Sequence, residues 1–228
     1  MKTTAIMLTV ALATAVLVPK AQDKTQGKIN YEQTINLHAA LKPDQQQFKD
    51  MIPEFSTTQE DLYFNGKHTK TERKDMDDQQ TDEGATIKLK MEGTGKTSYS
   101  DGTPEGTYFL AEKNGKQILM KPGTMGEETM KAMNITPDKK EGEKTTEKIG
   151  KKTKNILGFE CTEIISGETT LWVTTALPFR SGPMGMVSKH GAILGLEIGN
   201  KMKFYAKAID YIPVKLETVT PPAGLEIK

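Results

Sequence analysis

The residues best equipped for chemistry are few and scattered. Cys161 is the single cysteine of the 228-residue chain, and the three histidines, His38, His68 and His190, stand far from it in sequence. A nucleophilic thiol needs a base that holds it as thiolate, and no histidine has a local setting that provides one. Cys161 lies two residues from Phe159 in a strand-like alternation, so the bland expectation is a small, buried, apolar side chain. Glu160, Glu163, Glu168 and Asp101 are the carboxylates nearest the centre of the chain. No two of them have a spacing that implies general acid–base work, so the expectation is a protein without catalytic residues.

Two motifs imitate ligand sites and fail on inspection. Asp75, Asp77 and Asp78 are close together in an acidic run over residues 75–83. They lack the glycine at the sixth position and the glutamate at the twelfth of a helix–loop–helix calcium loop. Residues 93–97 read GTGKT, but a phosphate-binding loop needs a glycine five residues before Gly95, and that position holds Lys90. A hairpin turn is expected there. Neither a metal nor a cofactor is expected.

The remaining candidates are apolar. Residues 178–191 interrupt the strand pattern with Pro178, Gly182, Pro183, Gly185 and Gly191, the composition of a long irregular loop. The loop nevertheless carries Phe179, Met184, Met186 and Val187, which are costly to leave in water. Methionine is unbranched and polarisable, and surfaces rich in it accept ligands of varied shape. The candidate ligand-binding residues are therefore Met120, Met130, Met133, Trp172, Phe179, Met184 and Met186. In one reading the methionines and the loop form the lid of a pocket for an apolar, lipid-like molecule. In the other they fill the core and there is no ligand.

The elements that would position these residues are strands. Residues 159–165 and 169–175 read as a hairpin around Ser166-Gly167-Glu168, with Leu171 and Val173 on one face and Trp172 on the other. Residues 26–38 alternate with period two, Ile29, Tyr31, Ile35 and Leu37 against Lys28, Asn30, Glu32, Thr34 and Asn36. Asn65-Gly66 and Asn114-Gly115 are two-residue hairpin signals. A strand is expected over residues 85–92, and others over residues 193–198 and 202–211. In the last of these, Met202, Phe204, Ala206 and Ala208 should share a face. Pro213 permits a final edge strand over residues 214–218, and Pro221-Pro222 should end the ordered chain. A short helix is expected after Pro43, with Phe48, Met51 and Ile52 on one side. A second is expected over residues 125–134, where Thr124 and Glu127 make a capping box and Met130 and Met133 share a face. The sum is about ten to twelve strands in a mainly β fold. A curved antiparallel sheet forming a half-open or closed barrel hides both faces and edges economically; a two-sheet sandwich is the alternative.

Residues 1–21 have a charged start at Lys2, an apolar run from Ala5 to Val18 and Ala21 before Gln22. The run is too short to cross a bilayer and suits a secretory signal peptide. The expected organisation is a signal peptide over residues 1–21 and a single β-rich domain over 22–228. No cysteine sits near the cut to take a lipid anchor. The mature chain is expected to be periplasmic or secreted, monomeric, and not an integral membrane protein. Loss of Lys2 and Lys20 takes the formal charge from +1 to −1. Near-neutral, interspersed charge argues against nucleic acid as a partner.

The pieces Asn155-Ile156-Leu157-Gly158-Phe159-Glu160-Cys161 and Thr170-Leu171-Trp172-Val173-Thr174, with Gly182-Pro183 and Leu196-Glu197-Ile198, resemble the exported bacterial families of unknown function called GLPGLI and DUF4412, found mainly in Bacteroidetes. The opening segment over residues 27–38 is similar to their first strand. The GLPGLI signature itself is replaced by Gly191-Ala192-Ile193-Leu194-Gly195, so the resemblance is to the DUF4412 kind. It implies a β-rich periplasmic protein shaped like the half-open barrels of lipoprotein carriers, with no established activity.

Overall fold

The computed structural model describes residues 23–41, 43–74, 79–80, 86–87, 96–113, 115–122 and 147–228. In chain order the strands are β1 (Gln26–Asn36), β2 (Phe55–Asn65), β3 (His68–Arg73), β4 (Gln79–Gln80), β5 (Thr86–Ile87), β6 (Thr97–Ser100), β7 (Thr107–Lys113), β8 (Lys116–Met120), β9 (Lys148–Ile156), β10 (Phe159–Ser166), β11 (Thr169–Thr174), β12 (Ala192–Ile198), β13 (Met202–Asp210) and β14 (Glu226–Ile227). Twelve of them form one large curved sheet in the order β14-β8-β7-β6-β3-β2-β1-β13-β12-β11-β10-β9, while β4 and β5 pair only with each other. The sheet is antiparallel except at the β14–β8 pair. It is mainly β and open, with β9 and β14 as its edges.

The chain doubles back through short hairpins, so sequence neighbours are mostly spatial neighbours. The exceptions are β14 beside β8, β6 beside β3, and β1, which sits in the middle between β2 and β13. Its alternation is regular, with Gly27, Ile29, Tyr31, Gln33 and Ile35 buried and the residues between them half-exposed. The inward residues of β1 and their neighbours feed two apolar clusters. Ile29 and Tyr31 join Leu62, Phe64, Cys161, Trp172, Phe179, Leu194 and others in the first. Ile35 joins Ile164, Leu171, Val173, Ile193, Leu196, Met202 and Phe204 in the second. Leu171 and Val173 thus separate from Trp172, as the alternation of β11 requires.

Several expectations are corrected. The first strand ends at Asn36, not at residue 38, because the Asn36 side chain accepts a hydrogen bond from Ala39 N–H and starts a helical turn, α1 (Leu37–Ala40). The helix after Pro43 is a 3-10 helix, Pro43–Met51, and its Met51 is exposed. Ala208 is exposed rather than inward: Tyr31 pairs with Ala206 and Asn30 with Ala208, so Lys207 is an extra residue that reverses the phase. The tail forms no edge strand over residues 214–218; a 3-10 turn, Leu216–Thr218, stands there. Nor does Pro221-Pro222 end the order, because β14 runs parallel beside β8. The hairpin at Asn65 closes one residue later than its sequence suggests, with Asn65 paired to His68 around Gly66-Lys67 and Gly66 at φ 56°. The helix expected over residues 125–134 lies outside the described residues. So does most of the strand expected over 85–92.

Candidate functional site

Residues 178–191 are placed against the inward side of β2, β3, β6 and β7, and polar groups on those strands fix them. On β2 the inward positions Ser56, Thr58 and Glu60 are all polar and buried, before the strand turns apolar at Leu62 and Phe64. β3 and β6 add Thr69, Thr71, Ser98 and Ser100, also buried. Such groups need internal partners away from water. Thr71 and Ser98 bond each other at 2.6 Å, and Ser100 bonds Thr107 at 2.9 Å. Thr69 reaches the loop instead, 2.7 Å from the Ser181 hydroxyl.

Glu60 also holds the loop. Its Oε1 accepts the backbone N–H of Met184 at 2.8 Å. Met184 (φ 59°) and Gly185 (φ 66°) both adopt the left-handed region, a strained setting for methionine. Gly185 is required for space as well, since a Cβ there would lie 2.6 Å from the Ser98 hydroxyl. Burial pushes the Glu60 carboxyl up to about 7, against the opposing Met184 N–H bond and the Arg73 charge; Asp61 adds to the rise. Glu60 pairs across the ladder with Tyr31 on β1 and Arg73 on β3. The Tyr31 hydroxyl itself donates to Ile193 O at 2.8 Å.

Gln33 occupies the inward position between Tyr31 and Ile35, opposite Thr58 on one side and Phe204 on the other. It is fully buried. Its Nε2 donates to Met202 Sδ at 3.3 Å, while its Oε1 meets no donor among the described residues. Sulfur accepts but does not donate here, so this amide orientation is the favourable one.

The candidate ligand residues divide. Met184 and Met186 are both half-buried and pack against the second cluster, as Ile52 and Ile198 also do. Trp172 and Phe179 lie instead in the first cluster. Phe179 is 1% exposed and packs on Phe64 with ring centroids 5.0 Å apart. Met120 is half-buried at the end of β8, paired with Phe109. Met130 and Met133 lie outside the described residues.

Trp172 belongs to a second polar constellation. Trp172 Nε1 donates to Glu197 Oε1 at 3.2 Å, and the Tyr205 hydroxyl donates to the same oxygen. Lys154 Nζ lies 4.3 Å from the Trp172 ring centroid and 4.6 Å from that of Tyr205, with Glu197 at 3.3 Å. Gly195 separates the two rings, and a Cβ there would meet both at 2.9 Å. Burial raises the Glu197 carboxyl, but the three hydrogen bonds and the Lys154 charge outweigh it and hold the group below the usual carboxylate range. Burial, then the bond to Glu197, raises the Tyr205 phenol. The sheet's own lysine thus fills this aromatic slot, tying the edge strand β9 to β11 and β13.

Cys161 is buried, and burial pushes its thiol up to about 11 despite the nearby Lys154. His38 Nε2 bonds Ile52 O at 2.9 Å and His190 Nε2 lies 3.3 Å from Glu147, so their contacts lie elsewhere. We predict that a thiol reagent such as dithiobisnitrobenzoate will label Cys161 only at the rate of global unfolding. Rapid labelling of the native protein would show an exposed thiolate. Among the described residues no group of three or more His, Cys, Asp or Glu is placed to hold a metal ion. Nor is any helix among them long and apolar enough to cross a membrane.

Gln33 and Glu60 were the residues that sequence reasoning missed. Their signal was present: Gln33 breaks an otherwise apolar inward series on β1, and Glu60 stands in phase with Leu62 and Phe64.

No family model matches the chain, and no curated protein matches it. Among solved structures it is similar to PNGF-II in a C2 crystal form, with a TM-score of 0.51 and 11% identity over 89% of this chain and 31% of that one. A P21 form of the same protein gives a TM-score of 0.48 and 13% identity over 90% and 31%. The chain therefore spans about a third of the length of PNGF-II (31%), and at such identity the likeness concerns the fold alone.

Proposed function

We propose that this chain is an exported bacterial envelope protein of the DUF4412-like kind that binds, without catalysis, an apolar, lipid-like molecule. In this reading residues 1–21 direct export, and the open curved sheet acts as a half-open barrel. The binding region is where residues 178–191 meet the second cluster. One observation carries it. An irregular segment with left-handed backbone at Met184 and Gly185 lays two half-buried methionines against the second cluster, while its hold on the sheet runs through polar contacts such as Glu60–Met184 and Thr69–Ser181. Strained backbone of this sort is commonly kept for function, and methionines adapt to varied apolar shapes.

A second reading is an envelope structural or stress-response protein that works through a partner and holds no ligand. The burial of Phe179 and Trp172 in the first cluster favours it, because those side chains are occupied with core packing.

Native mass spectrometry of protein purified from its source envelope separates the two. A co-purified lipid-sized mass, with Nile red uptake once that mass is removed, is the expected result. Clean apoprotein that leaves Nile red dark would overturn the binding reading in favour of the second.

A further inference from the structure

Building on the binding role proposed above, we infer that the ligand is an amphiphile whose head donates hydrogen bonds, a primary amine or alcohol, and that this head is received by Gln33 Oε1 on the Glu60 side of the site. Gln33 is fully buried, and its Oε1 has no donor among the described residues. Leaving such a carbonyl unmet is costly, so natural interiors rarely do it.

The side chains bordering Gln33 explain the shortage. Along β1 it has Tyr31 and Ile35, and across the ladders Thr58 and Phe204. Tyr31 donates to Ile193 O and Thr58 to Lys74 O at 3.1 Å. Ile35 and Phe204 have no donor to give, and Met202 accepts from the Gln33 amide nitrogen. The spare capacity bordering this position is therefore for accepting. Glu60, two residues along β2 from Thr58 and on the same face, adds a carboxyl that already accepts one N–H from Met184.

The apolar part of the ligand has its surroundings on the same side. Met202 and Phe204 belong to the second cluster, against which Met184 and Met186 pack. The segment whose backbone is held by Glu60 thus also carries the side chains that would lie on a hydrocarbon tail. A fatty carboxylate fits this arrangement poorly: at neutral pH it offers no hydrogen to Gln33 and would bury its charge without a donor to meet it. An alcohol meets the orphan acceptor, and an ammonium meets it with charge in its favour.

The test displaces Nile red from the full-length protein with decylamine, decanol, methyl decanoate and decanoate. The amine and the alcohol should compete about fivefold to tenfold more strongly than the ester, the size of one hydrogen bond, and decanoate should be weakest. Gln33→Met keeps the length and burial of the side chain without the carbonyl, and should take up Nile red while losing the preference for donors. Gln33→Leu provides a second variant should the first fail to fold. Equal competition by all four compounds would overturn the inference and leave the binding role standing, as would a donor preference that survives in both variants, the sign that Gln33 holds a trapped water only. Failure of the wild-type protein to take up Nile red would overturn the binding role and this inference with it.

Discussion

Phe179→Ala should remove about 3–5 kcal/mol of folding stability, the usual cost of truncating a fully enclosed aromatic ring. The size of the loss measures how firmly residues 178–191 belong to the core. Phe179 is 1% exposed, its ring lies 5.0 Å from that of Phe64, and Phe64 in turn meets Tyr211 edge-on at 6.4 Å. Leu177 beside it is buried as well. The alanine variant leaves a ring-sized hole that the surrounding strands cannot close without shifting. Urea denaturation of wild type and variant gives the number directly. A loss below about 1 kcal/mol would show that the start of the segment lifts freely, which would extend a binding mouth back to Pro178. The full loss places any moving part further along, around Met184 and Met186.

Glu60→Gln should change how stability depends on pH. The carboxyl holds its proton up to about pH 7 in the folded protein, against an ordinary value of 4.5. The folded state therefore binds the proton more tightly than the unfolded one. Its contribution is complete below pH 4.5, falls as pH rises through the interval, and is gone above about 7. At about 1.4 kcal/mol per tenfold change in proton affinity, the loss is on the order of 3 kcal/mol. Asp61 and Glu197 act in the opposite sense, because their depressed values make their contributions fail only in acid. The interval from pH 5 to pH 7 therefore belongs mainly to Glu60. Glutamine keeps an oxygen for the Met184 N–H and cannot ionise. The variant should lose the slope between pH 5 and pH 7 and exceed wild type at pH 8 by about 2–3 kcal/mol. Urea midpoints at the two ends of the range check it. Parallel profiles for the two proteins would show that Glu60 is hydrated in the native state.

Much of the architecture was legible because alternation is a local property. The β10–β11 hairpin, the split of Leu171 and Val173 from Trp172, the irregular 178–191 segment and the hairpin closed by the Lys113–Lys116 pair all follow from period and turn chemistry within a few residues. What was not legible depends on partners remote in sequence. Ala208 changes face only because β13 holds one more residue than β1 at Lys207. The tail becomes a strand only because β8 offers it a free edge. Likewise the candidate site depends on Glu60 meeting Met184, 124 residues away in the chain. Gln33 could have been singled out as a polar residue in an inward phase, but only its surroundings reveal that its carbonyl lacks a donor among the described residues.

The central position of β1 governs the order in which this molecule can assemble. Lys28 stands opposite Asp210, so the first strand of the described domain must wait for nearly the last before its second flank is covered. The meander from β1 through β8 can close hairpin by hairpin as it emerges, whereas β9 to β13 form a second run that has to dock as a unit onto the open side of β1. The late step carries the large entropic cost of a long loop, and until it is complete the inward groups of β1 remain only half enclosed. Chains cut short before residue 202 would expose that flank permanently, making them the aggregation-prone species of this fold.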